Sequence, residues 1–310
     1  MTHTSARMVM PMDDRAVDGL AAQISGNLIQ PADREYDMAR QVWNGMIDRY
    51  PALIARCASV DDVIAAVRFA KEHGLGVAVR GGGHNVAGNA VCDGGLVIDL
   101  ARMRGVQVDA KARTARVQSG ATWADVDQAT QAVGLAAPGG VVSTTGVAGL
   151  TLHGGMGHLR RKHGLSIDNL ISVDIVTADG RLRTASATEH AELFWAVRGA
   201  GSNFGVVTSF EFQLHPVGPE VMLCAPLYTL DDAPAVLRRW RDFMATAPEE
   251  VSSIALFWSV PTDEHFPAEL HGRPIVVIAG VFSGPADEGE RLMQPLRELA
   301  TPLLDLSARE

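Results

Sequence analysis

Apolar positions follow two spacings along most of the chain. Val60, Val63, Ile64, Val67 and Ala70 recur at helical intervals, with Ser59 ahead of them as an N-cap and Asp61 and Asp62 at the positive helix end. Gly74 ends that helix. Short apolar runs of strand length flank it: Pro51 to Arg56 before, Gly76 to Arg80 (GVAVR) directly after, and Gly95 to Leu100 (GLVIDL) further on. Alternation predicts one hairpin from Val106–Val108 and Thr114–Gln118, and a second from Asn169–Thr177 and Arg181–Ala185 about the Asp179-Gly180 turn. Helices are expected over Thr122 to Val133 and Thr188 to Val197, and a strand over Gly205 to His215.

Pro216 to Pro219 reads as a linker. Beyond it come a strand (Val221 to Tyr228), a helix (Ala233 to Thr246), two strands (Ser252 to Val260, Arg273 to Phe282) and a helix (Asp287 to Leu299). Two strands in succession predict an antiparallel sheet backed by helices, and no closing strand follows. The first 35 residues are polar and irregular, apart from a short helix near Asp14 to Ile24. The expected organisation is an N-terminal extension (1–35), an α+β domain of two subdomains (36–217), and an incomplete sheet-and-helix domain (218–310).

Composition narrows the function classes. A formal charge of -9 argues against a sequence-independent grip on nucleic acid, and the densest basic cluster, Arg160-Arg161-Lys162, lies inside a glycine-rich motif. Three cysteines, Cys57, Cys92 and Cys224, show no CxxC spacing, so neither a disulfide framework nor a metal site is expected. No run reaches membrane-spanning length, and the N-terminus has no apolar signal core; a cytoplasmic protein is the expectation.

Two segments carry candidate chemistry. The first, Val79 to Gly95, places Gly81, Gly82 and Gly83 directly after a buried strand, with Asn85 and Gly88 beyond. Such a bend either aims backbone N–H groups at an anion or is a plain glycine turn, and glycine content alone weighs both equally. Arg80 either adds charge to an anion site or ends the strand. The Rossmann fingerprint fails, because Val86 stands where its third glycine belongs. His84, held among glycines, is presented by backbone and not packed on an apolar face. The second segment, Ala137 to Asn169, has small residues at nearly every other place, including Gly139, Gly140, Ser143, Thr144, Gly146, Gly149 and Gly154. Side chains this small leave room for a large flat ligand or permit close packing of elements.

Taken in order, these segments with Gly154-Gly155-x-Gly157, Arg161-Lys162-x-Gly164-Leu165, Asp168-Asn169, Leu193-Phe194-Trp195-Ala196 and Arg198-Gly199-x-Gly201-x-Asn203-Phe204-Gly205-Val206-Val207 resemble a known family. It is the berberine-bridge-enzyme-like group of the vanillyl-alcohol-oxidase superfamily, whose FAD-binding domain is of the PCMH type. The resemblance implies that the Arg80-to-His84 loop cradles the FAD pyrophosphate and that His84 bonds to the flavin 8α-methyl carbon. It also implies that Gly88, Pro138, Gly139, Gly140, Val142, Ser143, Thr144, Gly146, Gly149, Gly154 and Asn169 line the cofactor, with Val207 at its adenine end.

Departures from the family pattern refine this. Val142 stands where many members carry a second flavin-linked cysteine, so a single attachment is expected. His153 and His158 stand where relatives often have Gly and Trp, and His153 either assists proton transfer or lines the pocket. No general base is assignable by position. The implied activity is oxidation of a small organic substrate (an alcohol, amine or sugar) by hydride transfer to flavin, with O2 as acceptor. A dehydrogenase with another acceptor and a non-catalytic flavin-binding module are the alternatives. An unfinished sheet edge also admits a homodimer.

Overall fold

The computed structural model describes residues 12 to 309. The described residues are α+β, with three larger sheets, each backed by helices with a core under it, and a two-stranded ribbon of Leu135–Ala136 and His215–Pro216. The first sheet orders its strands Asn27–Ile29, Leu53–Arg56, Leu96–Asp99 and Val77–Arg80. Leu53–Arg56 and Val77–Arg80 both run parallel to Leu96–Asp99 between them. Helix Val60–Glu72 makes the crossover; Ser59 caps it as expected, and Val63, Ala66 and Ala70 sit in the core beneath. Ligands of parallel α/β sheets bind beyond the carboxyl ends of the strands, and the Gly81–Gly83 bend leaves from such an end.

From residue 12 on, the segment expected to be an irregular extension is ordered into this layer; its first eleven residues lie outside the described ones. Asn27–Ile29 pairs antiparallel with Leu53–Arg56, and helix Asp14–Ala21 buries Val17 and Leu20 in the same core. A strand of three residues carries no readable periodicity, which is why the pattern did not predict it.

The second sheet, in the order Val106–Asp109, Thr114–Gln118, Val206–Gln213, Leu170–Val176, Leu182–Ser186, contains both expected hairpins. Helix Trp123–Gln131 starts in a capping box of Thr122 and Asp125. In its first turn, the Trp123 and Ala124 N–H groups donate to the Thr145 and Ser143 carbonyls. The second glycine-rich segment is thereby stapled to a helix N-terminus.

The third sheet is built on Pro274–Phe282, with Val251–Ser259 on one side and Met222–Cys224 and Pro226–Thr229 on the other. The expected single strand over 221–228 is thus two. The chain end also differs from expectation: Leu304–Asp305 and Ala308–Arg309 return to pair with these short strands. Arg160, Arg161 and Lys162 join this layer to the second. Arg161 donates to the carbonyls of Ala247, Pro248 and Val251, Arg160 to Ser253, and Lys162 pairs with Glu250 at 3.0 Å. Among the described residues no helix is long and apolar enough to cross a membrane.

Candidate cofactor site

The two glycine-rich segments meet backbone to backbone. A Cβ on Gly82 would lie 2.3 Å from the Gly146 nitrogen, and one on Gly146 the same distance from the Gly82 nitrogen. Gly81 is less tightly enclosed, its Cβ position 3.0 Å from the Ser119 carbonyl oxygen. Ser119 in turn donates to the Val207 carbonyl at 2.6 Å, which ties Val207 to the floor of the first bend. Gly83 and Gly88 adopt left-handed φ values of 71° and 75°, which a side chain would strain.

A cavity of about 540 Å³ opens beside this contact, walled by Trp43, Arg56, Arg80, His84, Asp99 and Thr144 among others. Arg80 is buried and donates to Asp99 at 2.7 Å and to the Gln41 carbonyl at 3.3 Å. Arg56 approaches the same carboxylate at 3.6 Å and pairs with Glu35 at 2.9 Å. Two guanidinium groups therefore face one carboxylate at the wall. Among the described residues, the backbone N–H groups of Gly81, Gly82, Gly83, His84 and Asn85 donate to no protein acceptor. Five consecutive free donors on one bend fit the pyrophosphate of a dinucleotide such as FAD, and the wall beside them pairs Arg80 and Arg56 with Asp99 and Glu35.

His84 is half-buried at the mouth of this cavity. The Thr144 hydroxyl stands 3.4 Å from its Nε2 and the Thr145 hydroxyl 3.5 Å from its Nδ1, and the Trp43 ring stacks on its face. Val141 and Val142 expose 57% and 49% of their surface in the loop that carries Thr144 and Thr145. Trp123 Nε1 is buried without an acceptor, beside the position a Gly140 Cβ would take.

The remaining predicted residues divide between open and occupied space. Nothing lies within 4 Å of a Cβ placed on Gly149, and at Gly154 the nearest atom is at 3.7 Å. Gly139 and Gly140 are instead filled by Trp123 and Leu150, so there the small residue serves close packing. Pro138 is buried beside them. Asn85 is exposed and accepts from the Asn89 N–H. Asn169 turns inward: its amide donates to His163 and Leu165 carbonyls and accepts from His215 at 2.6 Å. His153 donates from Nδ1 to the Gly149 carbonyl at 2.9 Å, so a neutral ring presents a basic Nε2, which lies against Gly201. The His158 ring has no hydrogen-bond partner among the described residues, and burial, reinforced by Arg160, holds it below the ordinary histidine value.

Trp43, Arg56, Asp99 and Ser119 were not singled out from sequence. Asp99 had a signal: a carboxylate ending a buried strand needs a cation, and Arg80 ends another.

Comparison with known proteins follows the same lines. Residues 51–186 match a family model described as an FAD binding domain. The chain is 44% identical over 200 residues to (R)-6-hydroxynicotine oxidase of Paenarthrobacter nicotinovorans, covering 64% of this chain and 43% of that protein. The crystal structure of 6-hydroxy-D-nicotine oxidase from Arthrobacter nicotinovorans superposes with a TM-score of 0.83 at 35% identity, over 93% of this chain and 62% of that one. Physcomitrella patens BBE-like 1 superposes with a TM-score of 0.83 at 27% identity, over 95% and 62%. The chain thus spans roughly two-fifths to three-fifths of the relatives it matches. Residues 51–186 thus resemble an FAD binding domain, and by sequence and fold the chain is similar to the FAD-linked oxidoreductases, berberine-bridge-enzyme-like proteins among them.

Proposed function

We propose that this chain holds FAD through a single covalent bond to His84 and serves an oxidase that removes hydride from a small organic substrate and passes the electrons to O2. The observation that carries this reading is the placement of His84: an imidazole at the mouth of a cavity, between two loops that meet at Gly82 and Gly146. When bound, FAD supplies the hydride acceptor and its reoxidation by dioxygen. The Gly81-to-Asn85 amides and the Arg56 and Arg80 guanidinium groups bind the pyrophosphate. Thr144 and Thr145 orient the imidazole, Val141 and Val142 exclude water from one side of the ring, and Val207 holds the adenine end. Val142 offers no thiol, which limits attachment to one bond. His153 is the candidate proton acceptor, through its basic Nε2.

Acid precipitation of the purified protein tests the attachment. The unmodified pellet is expected to stay yellow, and His84→Ala to release all its flavin to the supernatant while still binding FAD before acid. A colourless pellet from the unmodified protein would sink the His84 bond.

A further inference from the structure

We infer that Trp43 is a positioning residue for His84, holding the imidazole at the angle from which it bonds the flavin. The inference rests on His84 being the attachment point. Its own evidence is an exposed ring laid against the imidazole at the cavity wall. Trp43 exposes 64% of its surface, although its neighbours Val42 and Ile47 pack against a core. Its ring lies 5.5 Å from the His84 ring, centroid to centroid, with the planes only 19° apart, an offset stack.

The backbone brings it there. The Trp43 N–H donates to the Gly83 carbonyl at 3.1 Å, Asn44 Nδ2 to the Val86 carbonyl at 2.8 Å, and Arg49 to the Gly88 and Val91 carbonyls at 2.9 Å each. With Arg49 also reaching the Ala87 carbonyl at 3.5 Å, the stretch from Trp43 to Arg49 grips the loop that carries His84 at five carbonyls. The two threonine hydroxyls stand at the ring edges at 3.4 and 3.5 Å, long for hydrogen bonds, so they hold the ring's rotation only loosely. The indole supplies the missing restraint on the ring plane. Bond formation removes one hydrogen from the flavin methyl group and the N–H hydrogen of the imidazole, and makes one C–N bond. The two electrons released reduce the flavin ring and leave to dioxygen, which departs as hydrogen peroxide. A restrained imidazole spends more time in line with the methyl carbon, and misplacement costs such a step steeply.

The test follows acid-stable flavin over time after FAD is added to flavin-free protein, by fluorescence of the band on a denaturing gel. Reversible binding is measured separately, from the visible absorbance before acid. Trp43→Ala is expected to slow covalent incorporation per bound FAD roughly ten- to hundredfold, measured at FAD concentrations that saturate reversible binding in each protein. Trp43→Phe, which keeps a stacking ring, is expected within about threefold of the unmodified protein. Both retain the backbone bond to Gly83 and should melt close to the unmodified chain. Unchanged incorporation in Trp43→Ala would overturn the inference, as would Trp43→Phe slowed as much as Trp43→Ala. If the unmodified protein binds FAD yet forms no acid-stable product, the assignment of His84 fails first, and the role of Trp43 with it.

Discussion

Asp99 sets the charge balance of the cavity wall. Its carboxylate is buried and answers Arg80 directly and Arg56 at longer range. Replacing it with Asn keeps the shape and removes the counter-charge, leaving a buried guanidinium unpaired. Asp99→Asn is expected to lower unfolding free energy by about 3 kcal/mol or more, read from urea denaturation followed by tryptophan fluorescence. A loss below about 1 kcal/mol would mean that solvent or Glu35 already screens Arg80. Residue by residue, the site was partly legible. His84 and the glycines stood out because their spacing is unusual in any packed structure. The Arg80–Asp99 pair was hidden because it needs the parallel register of Val77–Arg80 on Leu96–Asp99, which no local pattern encodes. Trp43 was hidden because its neighbours follow neither helical nor strand spacing.

The elements that hold the second loop also carry a titration. His163 ends helix Arg160–His163 and stacks on His215 of the short strand His215–Pro216, with centroids 3.8 Å apart and planes 16° from parallel. Burial holds both imidazoles below their ordinary value near 6.5; Lys162 pushes His163 the same way while Glu250 opposes, and His163 itself lowers His215. With depressed folded values, the unfolded chain takes up protons first as pH falls. The stability this pair contributes is therefore complete above about pH 6.5 and is lost as pH falls through the folded values. The melting temperature is expected to drop between pH 7.5 and 5.5, and His163→Phe, which keeps a stacked ring, to make that drop shallower. An equally steep drop in the variant would place the titration elsewhere. Long amphipathic elements such as Val60–Glu72 were legible from cap and periodicity together. The two- and three-residue strands, Asn27–Ile29, Leu304–Asp305 and Ala308–Arg309, exist only through tertiary pairing and left no trace in the pattern.

At the scale of the molecule, the third sheet ends on Val251–Ser259, which exposes Ile254, Leu256, Phe257 and Trp258. An apolar edge strand of this length templates pairing with another chain. The 310-residue chain is expected to self-associate as concentration rises, and Leu256→Lys with Phe257→Lys to shift it toward monomer in sedimentation velocity. Unchanged association would move the contact off this edge. The α+β architecture was legible from the order of elements, whereas the closeness of the two glycine-rich loops was not, since composition cannot separate a glycine that makes room from one that lets chains touch.

The Gly82–Gly146 contact gives the cleft a fixed gauge. Main chain rests on main chain there, so the separation of the two lobes cannot be tuned by exchanging side chains, and any added methyl group would wedge them apart. Changes in what the cleft admits must then come from its side-chain walls, while the floor stays the same width.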